Sequence, residues 1–130
     1  MKTVSLKLAK KLKANGYPQD AGLWYRIDKE DPNSEDVMLM NDPFESSRFD
    51  WCPSPTADEI LAGLPCFVTN EQGFEHQIRI QKTEEEQWEI WYIYRWNDED
   101  FLIGDEVFSD IFLADAAAKC WLYLKEKKLF

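Results

Sequence analysis

The 130 residues include one histidine, three cysteines and five glycines, and no long run of apolar side chains. Each scarcity removes a class of function. With His76 as the only imidazole, acid–base chemistry has one obvious carrier, and a Cys–His dyad would need Cys52, Cys66 or Cys120 brought to it together with an orienting group. The glycines form neither Gly-x-x-x-x-Gly-Lys nor Gly-x-Gly-x-x-Gly, so nothing predicts a phosphate cradle. The cysteines, at 52, 66 and 120, lack the close pairing of a zinc site or a disulfide framework. No stretch approaches the roughly 18 successive apolar residues of a membrane span, and Met1-Lys2-Thr3-Val4-Ser5-Leu6 lacks the apolar core of a signal peptide. The expectation is a reduced, cytoplasmic protein with no cofactor and no metal.

What the chain does have is aromatic mass and acid. Six Trp, eight Phe and five Tyr make 15% of the sequence, more than a core of this size hides easily, so some rings are expected at the surface. The net charge is −10 and unevenly spread. Residues 1–13 hold five Lys and no acid, residues 14–118 six bases and 24 acids, and residues 119–130 four bases and one acid. A middle of −18 between ends of +5 and +3 disfavours direct binding to nucleic acid, whose phosphates would meet like charge. It also allows the basic ends to dock on the acidic middle.

The length suits one domain, 1–130. Val4, Leu8, Ala9 and Leu12 share a face at helical spacing, which predicts a helix from about Thr3 to Ala14. Thr3 or Ser5 caps its start, and Asn15-Gly16 before Pro18 ends it. Residues 22–27 read as a strand, and residues 36–40 as its hairpin partner. Residues 41–55, with Pro43, Pro53 and Pro55, read as a long loop. Thr56-Ala57-Asp58-Glu59 is a capping box that opens a short helix to Gly63-Leu64. Three strands follow, at 66–69, 74–82 and 88–96, then Asn97–Asp100 as a break and 101–103 as a short edge strand. A terminal helix starts at about Ser109 or Leu113 and runs to Lys127, with Leu113, Ala117, Cys120, Trp121 and Leu124 on one face. Asp115 and Lys119 stand at the favourable i, i+4 spacing. The predicted class is α+β: an antiparallel sheet of about five or six strands, open to strong curvature, packed by N- and C-terminal helices and one short middle helix.

Several chemical readings compete with plainer ones. His76 shares a strand face with Ile78 and Ile80, the place of a packed sheet histidine. The clusters Asp28, Glu30, Asp31, Glu35, Asp36 and Asp98, Glu99, Asp100, Asp105, Glu106 suggest calcium, but neither alternates acids around a central glycine, and solvated turns are the simpler reading. Paired carboxylates and exposed Trp would suit a sugar, although 25 acids guarantee close pairs by number alone. In 88–96 the residues Trp88, Ile90, Tyr92, Tyr94 and Trp96 alternate with Glu89, Trp91, Ile93 and Arg95. Both faces of that strand are partly apolar, so it is central or meets a partner, and it admits a homodimer.

Three blocks resemble a family of small acidic proteins from bacterial genomes and prophages that has no assigned activity. They are Val4–Asp20, Pro55–Leu61 and Ala114–Glu126, roughly a third of the chain. The resemblance transfers no site residues. It implies a phage or mobile-element setting, where small proteins often act by binding a host protein. The leading expectation is therefore a non-enzymatic protein-binding module, with Trp24, Trp51, Trp88, Trp91, Tyr94 and Trp96 as partner-binding residues inside an acidic rim. A DNA mimic that occupies a nucleic-acid-binding protein ranks second, and an enzyme or binder of a sugar or small molecule third.

Overall fold

The N-terminal helix α1, Leu6–Ala14, ends where expected but starts three residues after Thr3, because Ser5, of the two candidate caps, takes the role. Ser5 is its N-cap, its hydroxyl accepting from the Leu8 amide at 3.4 Å. At the far end the Tyr17 amide donates to Leu12 O at 3.0 Å and the Gly16 amide to Lys13 O at 3.2 Å, the two bonds of a Schellman cap. The cap turns Tyr17 inward, where its ring meets Trp121 edge-on at 5.1 Å. In this computed structural model the described residues are 3–18, 22–30, 38–40 and 48–130, with backbone alone for 38–40.

The class is α+β, with the strands divided between two antiparallel sheets. The smaller sheet has the order β2-β1-β3, with β1 at Trp24–Asp28, β2 at Met38–Met40 and β3 at Phe49–Pro53. Strand β3 corrects the expected loop over 41–55. Phe49, Trp51 and Pro53 alternate with Asp50 and Cys52, and the whole strand pairs with β1, Pro53 lying opposite Trp24 at its end. Of the expected strand at 36–40, residues 36 and 37 lie outside the described residues, as do 41–47 of the expected loop.

Helix α2, Ala57–Gly63, carries the capping box in full: Thr56 Oγ1 accepts from the Glu59 amide and the Glu59 carboxylate accepts from the Thr56 amide. The larger sheet follows, in the order β4-β5-β6-β7, with β4 at Phe67–Thr69, β5 at Glu75–Lys82, β6 at Trp88–Trp96 and β7 at Glu99–Leu102. An unforeseen strand β8, Phe108–Asp110, pairs with Trp88–Ile90 of β6, so the last helix starts only at Leu113. β5 occupies one edge of β6, and β7 and β8 share the other. Between them a 3-10 turn, Ile103–Asp105, loops out of the pairing with Gly104 at φ 60°. A Cβ at Gly104 would collide with the Tyr123 hydroxyl, so space requires glycine there and the positive φ favours it.

Helix α3, Leu113–Glu126, is the hub of the core. Ala114, Ala116, Ala117, Ala118, Cys120, Trp121 and Leu124 are all buried, and the alanine run lets α2, α1 and the larger sheet pack close around it. Asp115 is buried too, and the expected pairing with Lys119 is not its role. Its carboxylate accepts from the Ser5 amide at 2.7 Å, tying α3 to the start of α1, while Lys119 pairs with Asp110 at 3.0 Å. Burial raises the Asp115 carboxyl above its ordinary value, against the opposing bond from Ser5. Among the described residues one lysine of the basic N-terminal helix forms an ion pair with the acidic middle: Lys13 reaches Asp50 at 3.5 Å and donates to Trp51 O at 2.6 Å.

Candidate functional site: an aromatic groove

Two turns and one strand build the site. Asn70 begins the β4–β5 connection: its amide donates to Phe74 O at 3.0 Å, and the Gly73 amide donates back to Asn70 O. Asn70 Oδ1 accepts from the Gln72 and Phe74 amides at 3.1 and 2.9 Å, fixing the turn from within. The second turn is Asn97-Asp98, both at positive φ (51° and 63°), which makes a two-residue type I′ hairpin and sets Trp96 opposite Glu99 and Tyr94 opposite Phe101.

The inner face of the larger sheet carries Ile90 and Tyr92 under α3, both sealed from solvent, and the Tyr92 hydroxyl donates to Pro65 O at 2.6 Å. Further along β6 the cover ends. Tyr94 is half-buried, and Trp96 is 60% exposed. Phe74 stacks on Tyr94 with centroids 4.9 Å apart, and Phe101 lies 6.4 Å from Tyr94 on the other side. Phe74, Tyr94, Trp96 and Phe101 thus wall a groove of about 480 Å³, with Asn70 and Gln72 at its lip and His76 at its base. That volume lies within the usual range of ligand sites.

His76 is a packed sheet histidine, 2% exposed, with its ring 5.7 Å from that of Tyr94. Its Nδ1 lies 2.9 Å from Phe74 O. A carbonyl only accepts, so Nδ1 carries the proton and, in the neutral ring, Nε2 is left as an acceptor. Nε2 has no hydrogen-bond partner among the described residues, and the ring lines the groove.

The six expected partner-binding residues do not form one surface. Tyr94 and Trp96 are in the groove. Trp88 lies on the same face at the opposite end of β6, half-buried, with the Lys82 ammonium 5.7 Å above its ring. Trp91 stands half-buried on the outer face, opposite Arg79. Trp24 and Trp51 belong to the smaller sheet, where Trp51 pairs across from Arg26. Phe74, Phe101, Asn70, Gln72 and His76 join the site without having been expected there. Phe101 was within reach of the sequence, since a two-residue Asn97-Asp98 turn places it beside Tyr94 by counting. Phe74 and the lip depend on where the helical cover stops, which no local pattern encodes.

The thiols do not build a dyad with His76. Cys52 and Cys120 are buried, and loss of solvent raises both, Cys120 to about 12, so they persist as unreactive thiols at neutral pH. Cys66 is exposed. Among the described residues no three His, Cys, Asp or Glu side chains converge on a metal position, and Asp31, Glu35 and Asp36 lie outside them. No helix is long and apolar enough to cross a membrane. No protein-family model, no curated protein and no solved structure matches the chain.

Proposed function

We propose that this chain is a non-enzymatic protein-binding module of a phage or mobile-element setting, acting in the cytoplasm by gripping a host protein through the aromatic groove. The observation that carries this reading is the contiguous wall of Phe74, Tyr94, Trp96 and Phe101, of which Trp96, Phe74 and Phe101 keep 60%, 47% and 45% of their surface exposed. Aromatics left partly in water represent burial energy not yet used: each of these rings, about half exposed, can still remove on the order of 100 Å² from solvent, at about 25 cal/mol per Å² before ordering costs. Aromatic anchors within a charged border are also the usual anatomy of binding hot spots. Asp98 and Glu99 at the hairpin end and Glu71 at the lip supply that border.

The test is a double variant, Trp96→Ala with Phe101→Ala, compared with the wild type in pull-downs from lysate of the native host. Both side chains are largely exposed, so circular dichroism and the thermal midpoint should change little. Capture of the partner should weaken about 30-fold or more, the ~2 kcal/mol of a hot-spot truncation. Undiminished capture by a folded double variant refutes the proposal.

A further inference from the structure

The groove is lined by four aromatic rings and by the polar side chains of Asn70, Gln72 and His76. Among the described lining residues there is no lysine or arginine. His76, 2% exposed, lines both this groove and the adjoining cavity of Ile103, Gly104, Tyr123 and Lys127, with Nδ1 committed to Phe74 O. Glu99 stands directly across the hairpin from Trp96 and therefore on the same face of the sheet. Its carboxylate makes no ion pair among the described residues, whereas its neighbour Asp100 is taken by Arg95 at 3.8 Å on the outer face. Beside this carboxylate lies the Trp96 indole, 60% exposed. An occupant that satisfies Trp96 and Glu99 together is flat, positively charged and furnished with N–H donors.

We infer that the groove receives an arginine side chain from a segment of the partner protein, its guanidinium stacked on Trp96 and donating to the Glu99 carboxylate. Arginine alone among side chains combines five donors in a plane with a permanent charge that stacks on aromatic rings. Lysine carries the charge as a compact, strongly hydrated ammonium that cannot stack. A carbohydrate would use the rings but has no charge for Glu99. The net charge of −10 favours the approach of such a segment over long range. The inference rests on the proposed protein-binding role and names the chemistry that the role uses.

The experiment is an NMR titration that follows the Trp96 indole N–H of the full chain, assigned by its loss in Trp96→Ala. The probes are the blocked peptide acetyl-Gly-Ser-Arg-Ser-Gly-amide, the same peptide with citrulline or lysine in place of arginine, and cellotetraose. Citrulline keeps the shape and removes the charge. The arginine peptide is expected to shift the Trp96 signal saturably, with citrulline binding at least about tenfold weaker and lysine weaker by several-fold. Glu99→Gln, a conservative change at an exposed position, should weaken the arginine peptide about three- to tenfold and leave the citrulline peptide unaffected. Equal binding of citrulline and arginine, equal binding of lysine, occupation by cellotetraose in place of peptide, or no shift with the arginine peptide each overturn the assignment. If the charge dependence fails while Trp96→Ala with Phe101→Ala still abolishes capture of the host partner, the guanidinium falls and the docking role stands. If the double variant captures normally, both fall.

Discussion

Ile90 and Trp96 are on one strand and point to the same side of one sheet, yet Ile90 is fully buried and Trp96 is 60% exposed. A strand of nine residues extends roughly 30 Å, and the helical layer ends before the strand does. Over the first half of β6, α3 and the Tyr92–Pro65 bond seal the inner face. Over the second half the same run of apolar side chains continues, and among the described residues no helix covers Trp96. The lesson is that one periodic pattern has two outcomes: it makes core where a helix arrives and an exposed aromatic face where none does.

The largest expected effect separates the two halves. Ile90→Ala should cost about 2–5 kcal/mol in urea denaturation, because it opens a cavity among sealed neighbours. Trp96→Ala should cost less than about 1 kcal/mol while eliminating binding in the groove. A loss of stability in Trp96→Ala equal to that in Ile90→Ala would show that the groove is structural core and end the distinction.

A smaller effect compares the turns at the two ends of the sheet. Beside the groove, Gly73 sits at φ 85° in a connection closed by Asn70 N–H to Phe74 O and Gly73 N–H to Asn70 O. At the other end Glu86 sits at φ 60° in a connection with the same two bonds, Thr83 N–H to Gln87 O and Glu86 N–H to Thr83 O. The left-handed conformation costs a residue with a Cβ about 1–2 kcal/mol. Gly73→Ala should therefore destabilise by about 1 kcal/mol, and Glu86→Gly should stabilise by up to that amount, as read from thermal midpoints. Changes of the same sign in both variants would mean that the two turns are not equivalent.

The smallest effect belongs to the covered side. Asp115 titrates above its ordinary value of 3.8 in the folded chain, so the native state holds that proton more tightly than the unfolded state. Its contribution to stability is greatest below that value and is lost as pH rises through the folded pKa. Asp115→Asn keeps an oxygen for the Ser5 amide and removes the titration. Relative to wild type the variant should gain stability, by less than about 1 kcal/mol, as pH climbs above 3.8, and then level off. A difference that stays flat across this range would contradict the burial argument.

Helix ends were legible because caps are local chemistry. Ser5, Asn15-Gly16 and the Thr56–Glu59 box each satisfy backbone groups within a few residues, so a short window contains cause and effect. The limits of β6 were legible for the same reason, since an aromatic and branched run bounded by Glu84–Glu86 and Asn97-Asp98 needs no distant information. β3 and β8 were not: each is a short segment stabilised by a partner far along the chain, β1 for one and β6 for the other. The pairing of Asp115 followed the same rule. Spacing pointed to Lys119, but the Ser5 amide, brought in by the packing of α1 on α3, took the carboxylate.

The sequence by itself determined the α+β class, the helix ends, the alternating faces of β6 and the excess of aromatic side chains. Only the tertiary structure decided which aromatics remain in water. Periodicity assigns a side chain to a face, but exposure depends on whether another element crosses that face. That crossing is set by the long-range packing of α3, α1 and the turn at Gly104, and it stops short of Trp96.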